Sequence, residues 1–361
     1  MRGWKKVKKL LFIILVVSLT LTMLVGCSTK PTTPAAPAVP ATPATPAPTT
    51  PTGISFPEHD ITGVVQWGAG GGTDSLMRPL ALIAEKTLGK SIVIQNKTGA
   101  TGAIATQFVH DQKADGYTLL MGAENPQLYT ILEISNLTYA DFEPVFLIGD
   151  ERVGIVVRKD SEYTSFKELI NAALTNPGKV SIATTGKGGM PWTVSSFIKA
   201  VTGAEFTQIP FDSDAAALTA VLGGHADFTV AKVQSGIESY KAGKIEFLTL
   251  MSLDKVNILP EVSLVTEDFP EFKDYLPWGP FYGVYVKKGT PDDVIKTMSD
   301  AFTKAFEEEE YQKVLQGFNI NPLGITGAEA KEYLTNWQRG TAEALFKSGA
   351  IDKSPEELGI K

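Results

Sequence analysis

Gly68-Ala69-Gly70-Gly71-Gly72-Thr73-Asp74 separates an apolar run, Ile61 to Trp67, from a segment with helical periodicity. Val64, Val65 and Trp67 read as a buried strand closed by turn residues. From Thr73 onward, Leu76, Met77, Leu80, Ile83, Ala84 and Leu88 recur at helical spacing, with Thr73 or Asp74 placed to cap the first turn. In a strand–glycine turn–helix unit, backbone N–H groups can approach a ligand closely, and the helix start favours negative charge. The loop is therefore a candidate anion site. As a dinucleotide fingerprint it places Thr73 where a third glycine belongs, and as a phosphate-binding P-loop it lacks Gly-Lys-Ser/Thr. The plain alternative is a tight βα turn, but the five small residues from Gly68 exceed what that usually needs.

The N-terminus indicates where the protein works. Arg2, Lys5, Lys6, Lys8 and Lys9 precede an almost unbroken apolar stretch, Leu10 to Val25, which ends at Gly26-Cys27. Residues 1–26 have the layout of a lipoprotein signal peptide, and the single cysteine, Cys27, is the expected lipidation site. One cysteine makes no intramolecular disulfide. Residues 27–53 form a Pro/Ala/Thr-rich linker, an extended spacer of polyproline type. At about 3.1 Å per residue it would hold a domain roughly 60 Å from a membrane. The expected location is the extracytoplasmic face of the cell membrane, reached through lipid on Cys27.

The whole chain has a formal net charge of −7 over 361 residues. Without residues 1–26 it carries 28 Lys and Arg against 40 Asp and Glu, a net charge of −12. An acidic surface argues against nucleic acid as partner. Ile92-Val93-Ile94, the glycine turn at Thr98 to Gly102, a helix from Ala103 to Val109 and the strand after Asp115-Gly116 continue a strand–turn–helix alternation. That alternation predicts a mainly parallel, doubly wound sheet. The three histidines, His59, His110 and His225, stand in no triad or metal-ligand spacing, so no catalytic residue, metal or cofactor is expected.

Several motifs fall in register along the chain: Gly70-Gly71-Gly72-Thr73-Asp74 with Arg78, Asn96-x-x-Gly99-Ala100-x-Gly102, and Asp115-Gly116-Tyr117-Thr118-Leu119-Leu120. Asn176-Pro177-Gly178-Lys179, Leu222-Gly223-Gly224-x-Ala226-Asp227, Leu259-Pro260-Glu261-Val262 and Lys288-Gly289-Thr290-Pro291 follow. The set resembles the extracytoplasmic solute-binding receptors of tripartite tricarboxylate transporters, the Bug or TctC-like receptors, over essentially everything after residue 56. The resemblance implies a type II periplasmic-binding-protein fold, with two α/β lobes and a ligand cleft between them. Lobe 1 would comprise residues 54–153 plus 279–361 and lobe 2 residues 154–278. The crossings would fall near Val153-Gly154-Ile155 and Trp278-Gly279-Pro280. It further implies a small organic carboxylate, a di- or tricarboxylate or related anion, as ligand, the membrane subunits of a secondary transporter as partners, and a monomeric receptor; the alternative is a receptor for another uptake system or a membrane sensor, with an amino-acid-like or aromatic carboxylate as ligand.

In that family two glycine-containing turns grip the ligand. Here they map to Gly70, Gly71, Gly72, Thr73 and Asp74, and to Thr184, Thr185, Gly186, Lys187 and Gly188, which precede a helix from Trp192 to Ala200. Two converging helix starts can neutralise a carboxylate without a cationic side chain. Phe211, Asp212 and Asp214 replace a more glycine-rich run of the relatives. They would read ligand polar groups, or Asp212 or Asp214 would cap the helix from Ala215 to Leu222. Glu124 and Asn125 stand where relatives often carry Ser-Asn, and Ala231-Lys232 where they commonly carry Asp-Asn. Lys187 with Lys232 favours a di- or tricarboxylate; Glu124, Asp212 and Asp214 favour an amino-acid-like or hydroxylated ligand. Trp67, Trp192, Phe211, Trp278 and Tyr282 either stack on ligand at the cleft edge or belong to the core.

Overall fold

The computed structural model describes residues 56–360; the expected signal peptide, Cys27 and the linker to residue 53 lie outside the described residues. Two sheets organise the chain. The first is built from β1 (Ile61–Val65), β2 (Ile92–Asn96), β3 (Thr118–Ala123), β4 (Phe142–Glu151), β10 (Phe281–Lys287) and β11 (Ile320–Ile325), in the order β11-β4-β10-β3-β1-β2. The second holds β5 (Val153–Arg158), β6 (Ser181–Thr184), β7 (Thr207–Pro210), β8 (Phe228–Lys232) and β9 (Ile245–Leu250), in the order β7-β6-β8-β5-β9. Each sheet with its helices is one α/β lobe.

The helices are α1 (Gly72–Leu88), α2 (Ala103–His110), α3 (Phe166–Thr175), α4 (Met190–Thr202), α5 (Asp214–Leu222), α6 (Val233–Lys241) and the single turn α7 (Val265–Asp268). After the return to the first sheet come α8 (Asp292–Glu307), α9 (Glu309–Gly317) and α10 (Gly327–Lys347). The apolar positions that predicted α1 are its buried face: Leu76, Met77 and Leu80 are fully enclosed. They pack with Val65, Met121, Val284 and the α8 residues Met298 and Phe302 in one layer against the first sheet. A second layer runs without a break from Val64 and Leu120 through Phe281, Trp337 and Trp278 to Phe197 and Phe228 of the second sheet. Trp278 stacks on Trp337 at 5.9 Å and meets Phe197 edge-on at 5.2 Å, so it belongs to the core rather than to a cleft edge. None of the described helices is long and apolar enough to cross a membrane.

The expectation of a mainly parallel sheet needs correction. Parallel pairing is confined to β2-β1-β3 and β7-β6-β8. Every antiparallel pair involves β4, β5 or β10, the strands that lead into or out of a change of sheet. Parallel order follows from helical crossovers within a sheet; a strand arriving from the other sheet is free of that constraint. The chain passes directly from β4 to β5 at Arg152 and re-enters the first sheet at Pro280, whose carbonyl accepts the Glu151 N–H at 2.8 Å. The two passages thus lie side by side.

Candidate functional site

The first glycine turn is held from behind. Helix α1 starts at Gly72, one residue ahead of the predicted cap, and neither Thr73 nor Asp74 serves as N-cap. Instead the Asp74 carboxylate, 3% exposed, accepts the Gly70 N–H at 2.9 Å and a bidentate pair from Arg78 at 2.7 and 3.0 Å. Asn96 donates to Asp74 at 2.8 Å and to the Trp67 carbonyl at 2.8 Å, and it accepts from Arg78 at 2.9 Å. Burial alone would raise the Asp74 pKa, but Arg78, the Gly70 N–H and Asn96 outweigh it and hold the group at about 2. The carboxylate stays charged at neutral pH, and its oxygens are occupied by these donors. Gly70 takes φ +77°, a left-handed conformation that suits glycine, and its N–H is spent on Asp74. The first intrahelical bond runs from the Ser75 N–H to the Gly71 carbonyl. That leaves the Gly72 and Thr73 amides at the open helix start.

The second turn follows β6. Its Gly189 N–H returns to the Gly186 carbonyl at 3.0 Å, and α4 begins at Met190 with Pro191 in its first turn. Gly186 and Gly188 both have positive φ, 86° and 84°. A Cβ on Gly188 would lie 2.4 Å from Leu132 Cδ1, so this turn seats against the segment that follows β3. A third helix start, α5, is capped by Ser213, whose hydroxyl accepts the Ala216 N–H at 3.2 Å; the predicted capping by Asp212 or Asp214 is not what forms.

These turns face one cavity of about 760 Å³. Gly71, Gly72 and Thr73 line it from the first lobe, Thr185, Lys187 and Gly188 from the second. Glu124, Asn125, Asp212, Asp214 and Lys232 complete the predicted residues that reach it. Gly70 and Asp74 stand behind the first turn, and Thr184 is buried in β6. Gly186 is not among the lining residues, and Phe211 packs on the small core of Ala183 and Ala217. Trp67 lines the cavity, whereas Trp192 sits in a separate groove with Ser195 and Lys199. Leu128, Leu132, Ile134 and Met190 supply an apolar wall that carried no sequence motif.

Charge in the cavity is unevenly shared. Lys232, at the end of β8, bonds Glu151 Oε2 at 2.5 Å, and the Tyr282 hydroxyl donates to the same oxygen at 2.8 Å. Burial would lower the Lys232 pKa, but Tyr282 and the carboxylates beside it outweigh that and raise it, so the ammonium stays charged. Sequence reading missed Glu151, and Tyr282 acts through its hydroxyl rather than its ring face. Glu124 has its pKa pushed up to about 7, first by burial and further by Glu151 and Asp214, against the opposing pull of Lys232. Asp214 is also raised by burial, while Lys232 and the Thr185 hydroxyl pull the other way. Lys187 is exposed at the rim.

Two helix starts, one following each sheet, thus border one cavity. A family model described as the tripartite tricarboxylate transporter family receptor, TctC, matches residues 76–345. The chain belongs to this receptor family. The receptor is 25% identical to Protein BugT of Bordetella pertussis over 301 residues, 82% of this chain and 91% of that one. A TctC solute-binding protein from Polaromonas superposes with a TM-score of 0.72 at 26% identity, covering 82% of the receptor and 99% of that chain. Rpa4515 of R. palustris, solved with adipate, shares the fold with a TM-score of 0.65 at 22% identity, over 81% and 98% of the two chains. The family model begins at residue 76, beyond the first glycine turn.

Proposed function

We propose that the receptor captures a small organic carboxylate between its lobes and delivers it to the membrane subunits of a tripartite tricarboxylate transporter, without chemical change. The observation that carries this is the convergence of the α1 and α4 starts on one cavity, each from a different sheet. A carboxylate bridging Gly72 and Thr73 on one side and the Thr185–Gly188 turn on the other stabilises only the closed arrangement, where both are within reach. Closure is then driven by that difference in affinity. We place lobe 1 at residues 54–153 plus 279–361 and lobe 2 at residues 154–278, hinged where Arg152 runs beside Gly279 and Pro280, with Val153 already paired into the second sheet. Lipid on Cys27 and the linker would display this monomeric unit at the extracytoplasmic face of the membrane.

The test is calorimetric titration of the full chain in detergent with mono-, di- and tricarboxylates, alongside Gly72→Pro and Thr185→Ala. Binding of at least one carboxylate, weakened by both substitutions, supports the reading. A response to sugars or nucleotides but to no carboxylate would overturn it.

A further inference from the structure

A third turn reaches the cavity, and its backbone is unusual. Between β2 and α2 the chain passes through Gly99, Ala100, Thr101 and Gly102 with φ of 119°, 47°, 54° and 86°. Glycine adopts such angles freely; alanine, and above all a β-branched threonine, does so only when the surroundings hold it there. Thr101 lines the cavity together with Trp67 and Gly68. What holds it lies behind the wall. Tyr129, a fully buried residue of the segment after β3, donates its hydroxyl proton to the Thr101 carbonyl at 2.9 Å. The buried Thr106 hydroxyl donates to the Gly102 carbonyl at 3.0 Å. One side chain feeds both hydroxyls: Gln66 Nε2 donates to Thr106 Oγ1 at 2.8 Å and to the Tyr129 hydroxyl at 3.5 Å. The Ala123 N–H donates to Gln66 Oε1 at 3.0 Å and so fixes which way that amide faces. A Cβ at Gly122 would collide with the same oxygen, so the glycine keeps the space open. The donors all point one way, from the end of β3 through Gln66 to the two carbonyls of the turn.

We infer that Tyr129 is a positioning residue for ligand capture: from behind the cavity wall it holds Thr101 in the left-handed conformation in which that residue meets bound ligand. This rests on the carboxylate reading of the cleft. Gln66, Thr106 and Tyr129 do not line the cavity, so they act through the turn rather than by contact with ligand. Burial raises the Tyr129 pKa, and the hydroxyl keeps the proton it donates at neutral pH. Released from that bond, Thr101 relaxes toward negative φ. The peptide units on either side of it rotate, and the wall at residue 101 moves. A merely structural tyrosine predicts otherwise, since loss of its hydroxyl would lower stability and leave affinity unchanged.

The experiment is calorimetric titration of the full chain in detergent with acetate, malate, adipate and citrate. Wild type is compared with Tyr129→Phe, Thr101→Gly and their double variant, and with Thr106→Val as a second break in the donor chain. Amide hydrogen exchange without ligand follows Gly102, whose N–H donates to the Gly99 carbonyl at 3.0 Å, with Ser75 of α1 as reference. Tyr129→Phe should weaken the tightest probe about fivefold, as expected for one hydrogen bond. It should also speed exchange at Gly102 and leave Ser75 as it is. Thr106→Val should act in the same direction. In the Thr101→Gly background, loss of the tyrosine hydroxyl should cost about twofold or less, because glycine needs no holding. Unchanged affinity in both Tyr129→Phe and Thr106→Val would overturn the inference while leaving carboxylate capture standing. A loss equally large with glycine at position 101, or unchanged exchange at Gly102, would do the same. Binding of none of the four probes by the wild type would overturn the capture reading, and this inference with it. Should Tyr129→Phe fold poorly, Thr106→Val decides the matter.

Discussion

Glu124→Gln tests the electrostatics of the cavity in the absence of any ligand. The glutamate moves from an ordinary 4.5 to about 7 on folding, because burial and the facing carboxylates Glu151 and Asp214 disfavour its charge more than Lys232 favours it. For a raised carboxylate, the folded state holds its proton more tightly than the unfolded one. The resulting stability is fully present below about pH 4.5 and is lost as pH rises to about 7. That difference between the folded and unfolded carboxyl corresponds to about 3 kcal/mol. Glutamine occupies nearly the same space and never ionises. The variant should therefore match the wild type near pH 4 and exceed it by about 2–3 kcal/mol above pH 8. Urea denaturation of both proteins from pH 4 to 8.5 gives the difference curve, in which contributions from Asp214 and other common groups largely cancel. A flat difference between pH 4.5 and 8, or a variant less stable than wild type at pH 8, would refute the account of how Glu124 is buried.

Two further substitutions probe the parts that join the lobes. Lys232→Met leaves the Glu151 carboxylate, 6% exposed, with only the Tyr282 hydroxyl; we expect a loss of about 3 kcal/mol. Adding Glu151→Gln should recover most of it, so a double variant as unstable as the single one would argue against the pairing. Gly188→Ala places a Cβ 2.4 Å from Leu132 Cδ1 at a positive φ. It should cost about 1–3 kcal/mol, partly relieved by Leu132→Ala, and melting curves of the three variants give the comparison.

Local order was well marked in the sequence. The period of Leu76, Met77, Leu80, Ala84 and Leu88 fixed the buried face of α1. Gly70, Gly71 and Gly72, and Gly186 and Gly188, marked the two turns, because such closely spaced glycines suit an open or left-handed backbone. Partnership across long separations was not marked. Glu151 and Tyr282 lie 131 positions apart and meet only because the two passages between sheets run side by side. Nothing in the composition near Glu151 distinguishes it from a surface residue at a strand end. Asp74 was legible as a helix-start residue, but its direction was not: the Gly70 N–H and Arg78 turn it behind the loop, away from the cavity. Strand direction failed for a related reason, since alternation of strands and helices says nothing about a chain that leaves one sheet and returns.

The arrangement behind the first turn separates holding from choosing. Asp74, Arg78 and Asn96 shape the amides at 70–73, yet none of the three lines the cavity. Glu124, Asp212, Asp214 and Lys232 line it and take no part in that clamp. If the amides at 71–73 hold a carboxylate as proposed, replacement of the second group over evolutionary time would redirect the receptor to a new nutrient without disturbing that grip. A fold divided in this way can diversify its cargo without first losing the ability to carry any.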